Sequence, residues 1–371
     1  MTSQAEQPIR APRFGAAQIR LLEKLSNACA VSGDESEVRA IVLEQVRPYA
    51  DEVRTDALGN VLAIKRAREE QSEANRLRVM LAAHMDEVGV MLTAEDGEGI
   101  FRFDLVGGID ERQLAGKPVW IGREHVPGVI GTKPIHQVTP SERRSAFNLE
   151  ALRIDLGPGG KNRVKVGDRA TFATPFRRLG NSLRGKALDD RFGVALLIEL
   201  FKDPPPHLDL CAAFTVQEEV GLRGARVAAY ALNPDLAIIL DATPALDLPH
   251  WEEEDGRSLE NTQYNSRLDG GPAIYLADQA TLYDPRLIQH VVETAERQRI
   301  PYQFRQPGRG ATDAGVVHLA RRGIPSLAVS VPTRYAHTPA SLARLADWQN
   351  TFSLLYAALR RLTRQVLAME R

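Results

Sequence analysis

Strand-length runs in this 371-residue chain are apolar over most of their length and then turn polar: "LRVMLAAH" before Asp86, "DLCAAFTVQ" before Glu218, "PDLAIILDA", and "IPSLAVSV" before "PTRYAHTP". A half-exposed strand alternates polar and apolar residues, whereas a strand that is apolar throughout must be covered on both faces. Helical patterns such as "ALDDRFGVALLIELF" and "DPRLIQHVVETAERQR" lie among these runs. This alternation predicts an α/β fold, with a sheet flanked by helices. The last stretch, "SLARLADWQNTFSLLYAALRRLTRQVLAM", reads as a long helical end. Near the start, "AAQIRLLEKLSNACA" places Ile19, Leu22, Leu25 and Ala28 on one helical face. "SGDESEVRAIVLEQVRPYA" reads as a second helix, with Asp34 or Ser36 as cap and Val38, Ile41, Val42 and Val46 as its stripe. "VRTDALGNVLAIKR" reads as two short strands around a Gly-Asn turn, and the charged run "KRAREEQSEANR" as a solvated hairpin tip.

The middle of the chain changes character. From about Val90 to Gly180 short strands recur ("GIFRFDLVG", "KPVWIG", "VPGVIGT", "ALRIDLG", "DRATFATP") with Gly and Pro between them. That pattern predicts a small β-barrel or sandwich. A chain of this length exceeds one typical core. The expected organisation is therefore an α/β domain of residues 1–89 and 180–371, interrupted by a β-rich insert at 90–179. The insert offers Phe101, Phe103, Val119, Trp120 and Ile121 as candidate apolar contact side chains.

Charge narrows the partners. Lys+Arg total 47 and Asp+Glu 48, so nothing favours nucleic acid or an acidic membrane surface. No apolar run approaches the roughly 20 residues needed to span a bilayer. The start, "MTSQAEQPIRAPRFGA", lacks the apolar centre of a secretory signal and reads as a lead-in. Cys29 and Cys211 both sit in apolar surroundings and read as buried, reduced thiols of a cytoplasmic protein.

The polar ends of the strands carry the functional reading. In an α/β sheet, ligands gather beyond the carboxyl ends of the strands. His84, Asp86 and Glu87 follow the first run, and Asp189 and Asp190 open a helix. Glu218 and Glu219 end another strand, Asp241 a third, and His337 lies in the loop after a fourth. Each has a plainer explanation: a helix N-cap for Asp189, a solvated pair for Glu218 and Glu219, a turn residue for Asp241, a structural histidine for His337. Together, two His and several acids form a candidate set for divalent metal. Imidazole and carboxylate without thiolate suit Zn, Co or Mn. Two metals about 3.5–4 Å apart need a ligand that reaches both, which a carboxylate can do.

"HMDEVG", "KALDDRFG", "TVQEEVGLRGA", "ATDAG" and "SVPTRYAHTP", in this order and spacing, resemble the tetrahedral (TET) and glutamyl aminopeptidase family of di-metal peptidases. Some relatives carry a cellulase label. The similarity runs from about Leu21 to the C-terminal helix. It implies a phosphorylase/peptidase-like mixed sheet flanked by helices, with an inserted small β-barrel that helps to build oligomers. Carried over residue by residue, it implies that His84 and Asp241 hold one metal and that Glu219 and His337 hold the other. Asp189 bridges the two, Asp86 orients His84, and Glu218 is the general base. The implied reaction removes N-terminal residues from peptides with a free amino terminus. Glu218 takes a proton from the attacking water and passes it to the leaving amine. The implied cofactors are two divalent ions per subunit, zinc first, with cobalt or manganese as alternatives. The implied assembly is a homo-oligomer, a dodecamer in the family. This chain departs from the pattern at Arg309 and Ala311, which interrupt a Gly-rich run. It also departs at Ser341, where an acid is usual, and in the acidic run Glu252 to Asp255.

Rival readings use the same residues. Paired carboxylates also cleave sugars, but a glycosidase of the endoglucanase type needs no histidines and usually offers aromatic platforms. The Trp residues here, Trp120, Trp251 and Trp348, form no cluster in sequence. A metal-dependent deacylase on the same scaffold would take N-blocked substrates. A scaffold protein that had lost catalysis would lack a ligand or the base, and none is missing.

Overall fold

The computed structural model describes residues 9–69, 76–141, 144, 148–248, 250–251, 258–259, 266–308 and 310–370. Glu252 to Asp255, Arg309 and the tip segment at 70–75 lie outside these. The chain opens with α1 (Ala16–Asn27) and α2 (Ser36–Val46), then β1 (Glu52–Thr55), β2 (Val61–Lys65) and β3 (Leu77–His84). Next come β4 (Gly89–Gly97), β5 (Ile100–Val106), β6 (Pro118–Ile121), β7 (Val126–Gly131), β8 (Arg153–Asp155) and β9 (Arg169–Phe172). The hairpin β10 (Arg177–Leu179) and β11 (Ser182–Gly185) leads to α3 (Leu188–Lys202), β12 (Leu208–Thr215), α4 (Arg223–Leu232) and β13 (Leu236–Pro244). The short strands β14 (His250–Trp251), β15 (Ser258–Leu259) and β16 (Ala273–Tyr275) precede α5 (Pro285–Gln298), β17 (Gln303–Arg305) and α6 (Ala314–Val317). The chain closes with β18 (Ser326–Arg334), β19 (Ser341–Arg344), α7 (Leu345–Arg361) and α8 (Gln365–Ala368).

Among the described residues, one mixed sheet runs β1-β2-β12-β3-β13-β18-β19-β11-β10, with β16 and β17 branching from β18. The apolar runs form its parallel centre: β3 lies between β12 and β13, and β13 lies beside β18. Seven of the eight residues of β3 are buried, as expected for a strand covered on both faces. α3 packs on this centre with Phe192, Leu196, Leu197 and Leu200 inside. Burying a side chain of that size contributes about 1.5–3 kcal/mol each.

The strands from β4 to β9 close on themselves as a barrel in the order β4-β5-β8-β7-β6-β9, with a separate core. Strand alternation decides which side chains point inward. Phe101, Phe103, Val119 and Ile121 therefore fill the barrel and are not available as contacts, contrary to the sequence reading. Trp120, one residue out of phase, is the member of that set left exposed, at 37%.

Smaller corrections have local causes. The N-cap of α2 is Glu35, not Asp34 or Ser36, and no side chain caps it. Ala28 lies just past the end of α1. The C-terminal stretch starts as β19, because "SLAR" pairs with β11 and β18 before α7 begins, and the helical remainder breaks between α7 and α8. Cys29 is half-buried, whereas Cys211 is fully buried. No helix of the described residues is long and apolar enough to cross a membrane.

Candidate metal centre

Strand register brings the polar ends together. β12 pairs in parallel with β3 so that Thr215 stands opposite His84, and both chains leave the sheet at the same level. Asp241 stands opposite Ser330 inside the sheet, because β13 runs on to Pro244 instead of ending at Asp241 as the sequence suggests. The turns that follow hold non-glycine residues in left-handed conformations: Ala187 at φ 52°, Gln217 at 56° and His337 at 57°. Such positions cost roughly 1–3 kcal/mol each and persist where packing over-determines them. Here they aim the next side chains inward.

Asp189 lies at the middle. Its Oδ1 is 3.1 Å from Nε2 of His84, and its Oδ2 is 3.4 Å from Nε2 of His337. His84 Nε2 also faces Asp241 Oδ1 at 3.9 Å, and His337 Nε2 faces Glu219 Oε2 at 3.3 Å. Both rings are held from behind. Nδ1 of His84 lies 3.2 Å from the carbonyl oxygen of Asp86, and Nδ1 of His337 lies 3.0 Å from that of Gly108. A carbonyl can only accept, so Nδ1 carries the proton and Nε2 is presented to the carboxylates. The partner of His337 comes from the barrel-side segment after β5, a contact with no sequence signal.

Asp86 is fully buried and acts on the scaffold. Its Oδ1 accepts from the Glu218 amide at 3.0 Å, and its Oδ2 accepts from the Glu219 amide at 3.2 Å and from Ser32 Oγ at 2.6 Å. It fixes the strained turn that carries both glutamates. Glu87 belongs to a different system. It bonds Lys186, Arg191 and the backbone of Ala30, and on the barrel side Thr171. Breaking a buried pair of this kind costs roughly 3–5 kcal/mol, so Glu87 fastens barrel to sheet. Asp190, the neighbour of Asp189, also faces inward. Its Oδ2 accepts from the His84 amide at 3.2 Å and its Oδ1 from the Gly193 amide at 2.9 Å. The capping role suggested for Asp189 thus falls to Asp190. A side chain at Gly193 would place its Cβ 2.4 Å from the Asp190 carboxylate.

The electrostatics call for a cation. Burial pushes the carboxyls of Glu218, Asp241 and Asp190 well above their ordinary range, and neighbouring acids add to the effect. Burial likewise raises Glu219, to about 7. Burial opposes charge on His337, but its bond to Asp189 and the charges of Glu219 and Asp189 outweigh that and raise it to about 9. Asp313, 2% exposed, keeps Oδ2 on Thr215 Oγ1 at 2.6 Å while its Oδ1 has no hydrogen-bond partner among the described residues. Donor atoms of His84, Asp189 and Glu219 converge within 4.8 Å of one another, as do those of His84, Asp190 and Asp241. Imidazole and carboxylate donors at that spacing fit divalent metal. A cavity of about 260 Å³ opens over them, walled by His84, Asp189, Glu218, Asp241, Tyr275 and Arg305. Arg305 stacks over the Tyr275 ring at 4.6 Å and reaches Thr243 Oγ1 at 3.2 Å. Sequence reading named Asp190 beside Asp189 without giving it a role, and passed over Asp313 and Arg305, although "ATDAG" contains Asp313.

A helix-flanked sheet with His and carboxylates at its strand ends, joined to a closed barrel, defines a peptidase-type metal centre. The M42 glutamyl aminopeptidase family model matches residues 59–354. The TET aminopeptidase of Thaumarchaeota archaeon SCGC AB-539-E09 superposes with a TM-score of 0.87 at 32% identity, covering 95% of this chain and 99% of that one. The TET1 peptidase of Pyrococcus horikoshii, which can assemble into a tetrahedron or a large octahedral shell, gives 0.79 at 31% identity over 93% and 100%. The lysyl aminopeptidase of Pyrococcus furiosus is 30% identical over 354 residues, 92% of this chain and 96% of that protein. The chain belongs to the M42 glutamyl aminopeptidase family and is a hydrolase of peptide bonds.

Proposed function

We propose that this enzyme removes N-terminal residues from peptides with a free amino terminus, using two divalent metal ions held by its strand-end cluster. The observation that carries the proposal is that the two carboxylate oxygens of Asp189 face two different histidines. His84 and Asp241 would hold one ion, Glu219 and His337 the other, and Asp189 would bridge them. Bound metal would polarise the scissile carbonyl and acidify the attacking water. Glu218 stands beside the ligands in the cavity wall, and burial gives it a high proton affinity. It takes a proton from the attacking water and returns it to the leaving amine. Asp86 keeps Glu218 and Glu219 aimed through their amides.

Chelation is expected to abolish hydrolysis of free-amine aminoacyl reporters, and added Zn, Co or Mn to restore it. The matching N-blocked reporters should remain uncut throughout. Activity that survives chelation would point to a two-carboxylate glycosidase, and cleavage of blocked substrates to a deacylase. The glycosidase reading gains no platform from Trp348, which is fully buried against Phe14 and Phe192, or from Trp120, which lies on the barrel wall and does not line the cavity.

The second part of the proposal is assembly into a large homo-oligomer, of twelve subunits in the closed tetrahedral form, with the insert at 90–179 contributing contacts. Support comes from the exposed apolar side chains of the barrel wall, Ile100, Trp120 and Val129. Light scattering across a range of protein concentrations should give one large, concentration-independent mass. A stable mass near the 41.0 kDa of one chain, with full activity, would remove the insert from any role in assembly.

A further inference from the structure

A second group of metal-ligating side chains converges away from the peptidase pocket, where the barrel meets the loop between α1 and α2. Cys29 lies just after α1, Glu37 sits in the first turn of α2, and His125 is at the tip of the β6–β7 hairpin. One donor atom from each lies within 4.8 Å of the other two. Glu37 ties the pieces together. One of its oxygens accepts from the Cys29 amide at 3.0 Å, and the other is 2.5 Å from Nε2 of His125. A void of about 10 Å³ lies against Cys29 and Glu37, also bordered by Asp34, Trp120, Arg123 and Arg169. That is about the space of one water-sized particle.

We infer that Cys29, Glu37 and His125 form a binding site for a soft divalent metal ion of the zinc class, separate from the centre at His84 and His337. Thiol, imidazole and carboxylate together select zinc-like ions over magnesium or calcium, which prefer oxygen alone. A thiolate and a carboxylate balance the charge of one divalent ion. Two arginines border the same void: Arg123 faces Asp34 at 3.5 Å, and Arg169 donates from Nη1 to the Gly167 carbonyl at 2.7 Å, while its Nε has no hydrogen-bond partner among the described residues. Burial pushes the Cys29 thiol up to about 12, so without metal it is a neutral thiol and a poor nucleophile. His125 is held at φ 50°, which presents its ring toward α2. An ion here joins the barrel hairpin to the loop that carries Ser32, the hydroxyl donor to Asp86. It therefore braces, from outside, the residue that aims Glu218 and Glu219.

The test uses cobalt as the probe and needs no substrate. The full chain, freed of metal by chelation and titrated with Co²⁺, should develop a near-ultraviolet thiolate-to-cobalt charge-transfer band. The peptidase centre contains no thiol, and the chain's other cysteine, Cys211, is buried within β12. The band therefore reports Cys29 whether or not the peptidase reading holds. Cys29→Ala should abolish it, and zinc should bleach it. His125→Ala, at a half-buried position in the hairpin turn, should weaken the apparent cobalt affinity about tenfold or more while circular dichroism stays unchanged. No band in the parent chain, or a band that persists in Cys29→Ala, overturns the assignment.

Discussion

Replacing Glu218 with Gln is expected to leave metal content intact and to lower turnover by roughly 10²–10⁴-fold, the usual cost of losing general acid–base catalysis. The substitution keeps the size of the side chain. Both backbone bonds from this turn to Asp86 come from the amides of Glu218 and Glu219, so the turn itself should persist. The loss should fall on kcat rather than KM, because the proton moves only during the chemical step. Elemental analysis and steady-state kinetics on the same preparation check both halves. A near-normal rate with full metal occupancy would mean that another group carries the proton; Asp313, raised by burial to about 6, is one alternative.

What the sequence made legible follows a physical division. Strands buried on both faces announce themselves, because the centres of β3, β12, β13 and β18 are almost wholly apolar and their polar residues gather mostly toward the ends. Their polar ends were visible for the same reason, and the structure brings His84, Asp86, Asp189, Glu218, Glu219, Asp241 and His337 together. Three kinds of information stayed hidden. Backbone partners such as the Gly108 carbonyl have no residue signature. The inward or outward sense of a short barrel strand depends on register, so Phe101 and Trp120 looked alike in sequence and ended on opposite sides of the wall. Tertiary convergence of residues far apart in the chain, such as Cys29, Glu37 and His125, exists only once barrel and sheet are docked. Glu87 shows the limit of motif reading from the other side. It stands one residue from Asp86 in the same motif, yet its bonds to Lys186, Arg191 and Thr171 make it a fastener.

Asp189→Ala and His337→Ala should differ in how much metal they release. Asp189 presents one oxygen to each histidine, at 3.1 and 3.4 Å, and so belongs to both halves of the centre. His337 touches only the Glu219 side, and its ring is about 40% exposed at the cavity mouth. Removing Asp189 should therefore weaken both sites. Removing His337 should empty one and leave the other, with His84 still held by the Asp86 carbonyl and facing Asp241. Changes one shell further out typically cost 10–100-fold in metal affinity, so loss of a direct ligand should cost at least about that much. Native mass spectrometry resolves whole numbers of ions per chain. The expected pattern is a single retained ion in His337→Ala and few or none in Asp189→Ala. Near-ultraviolet circular dichroism on both variants separates metal loss from a disturbed fold, because Trp348 of α7, packed between Phe14 and Phe192, reports the helix packing around α3 and is not itself a ligand. Equal metal loss in two folded variants would show that Asp189 serves one site only, and the centre would then have to be built around the neighbouring Asp190, whose oxygen converges with a ring nitrogen of His84 and an oxygen of Asp241.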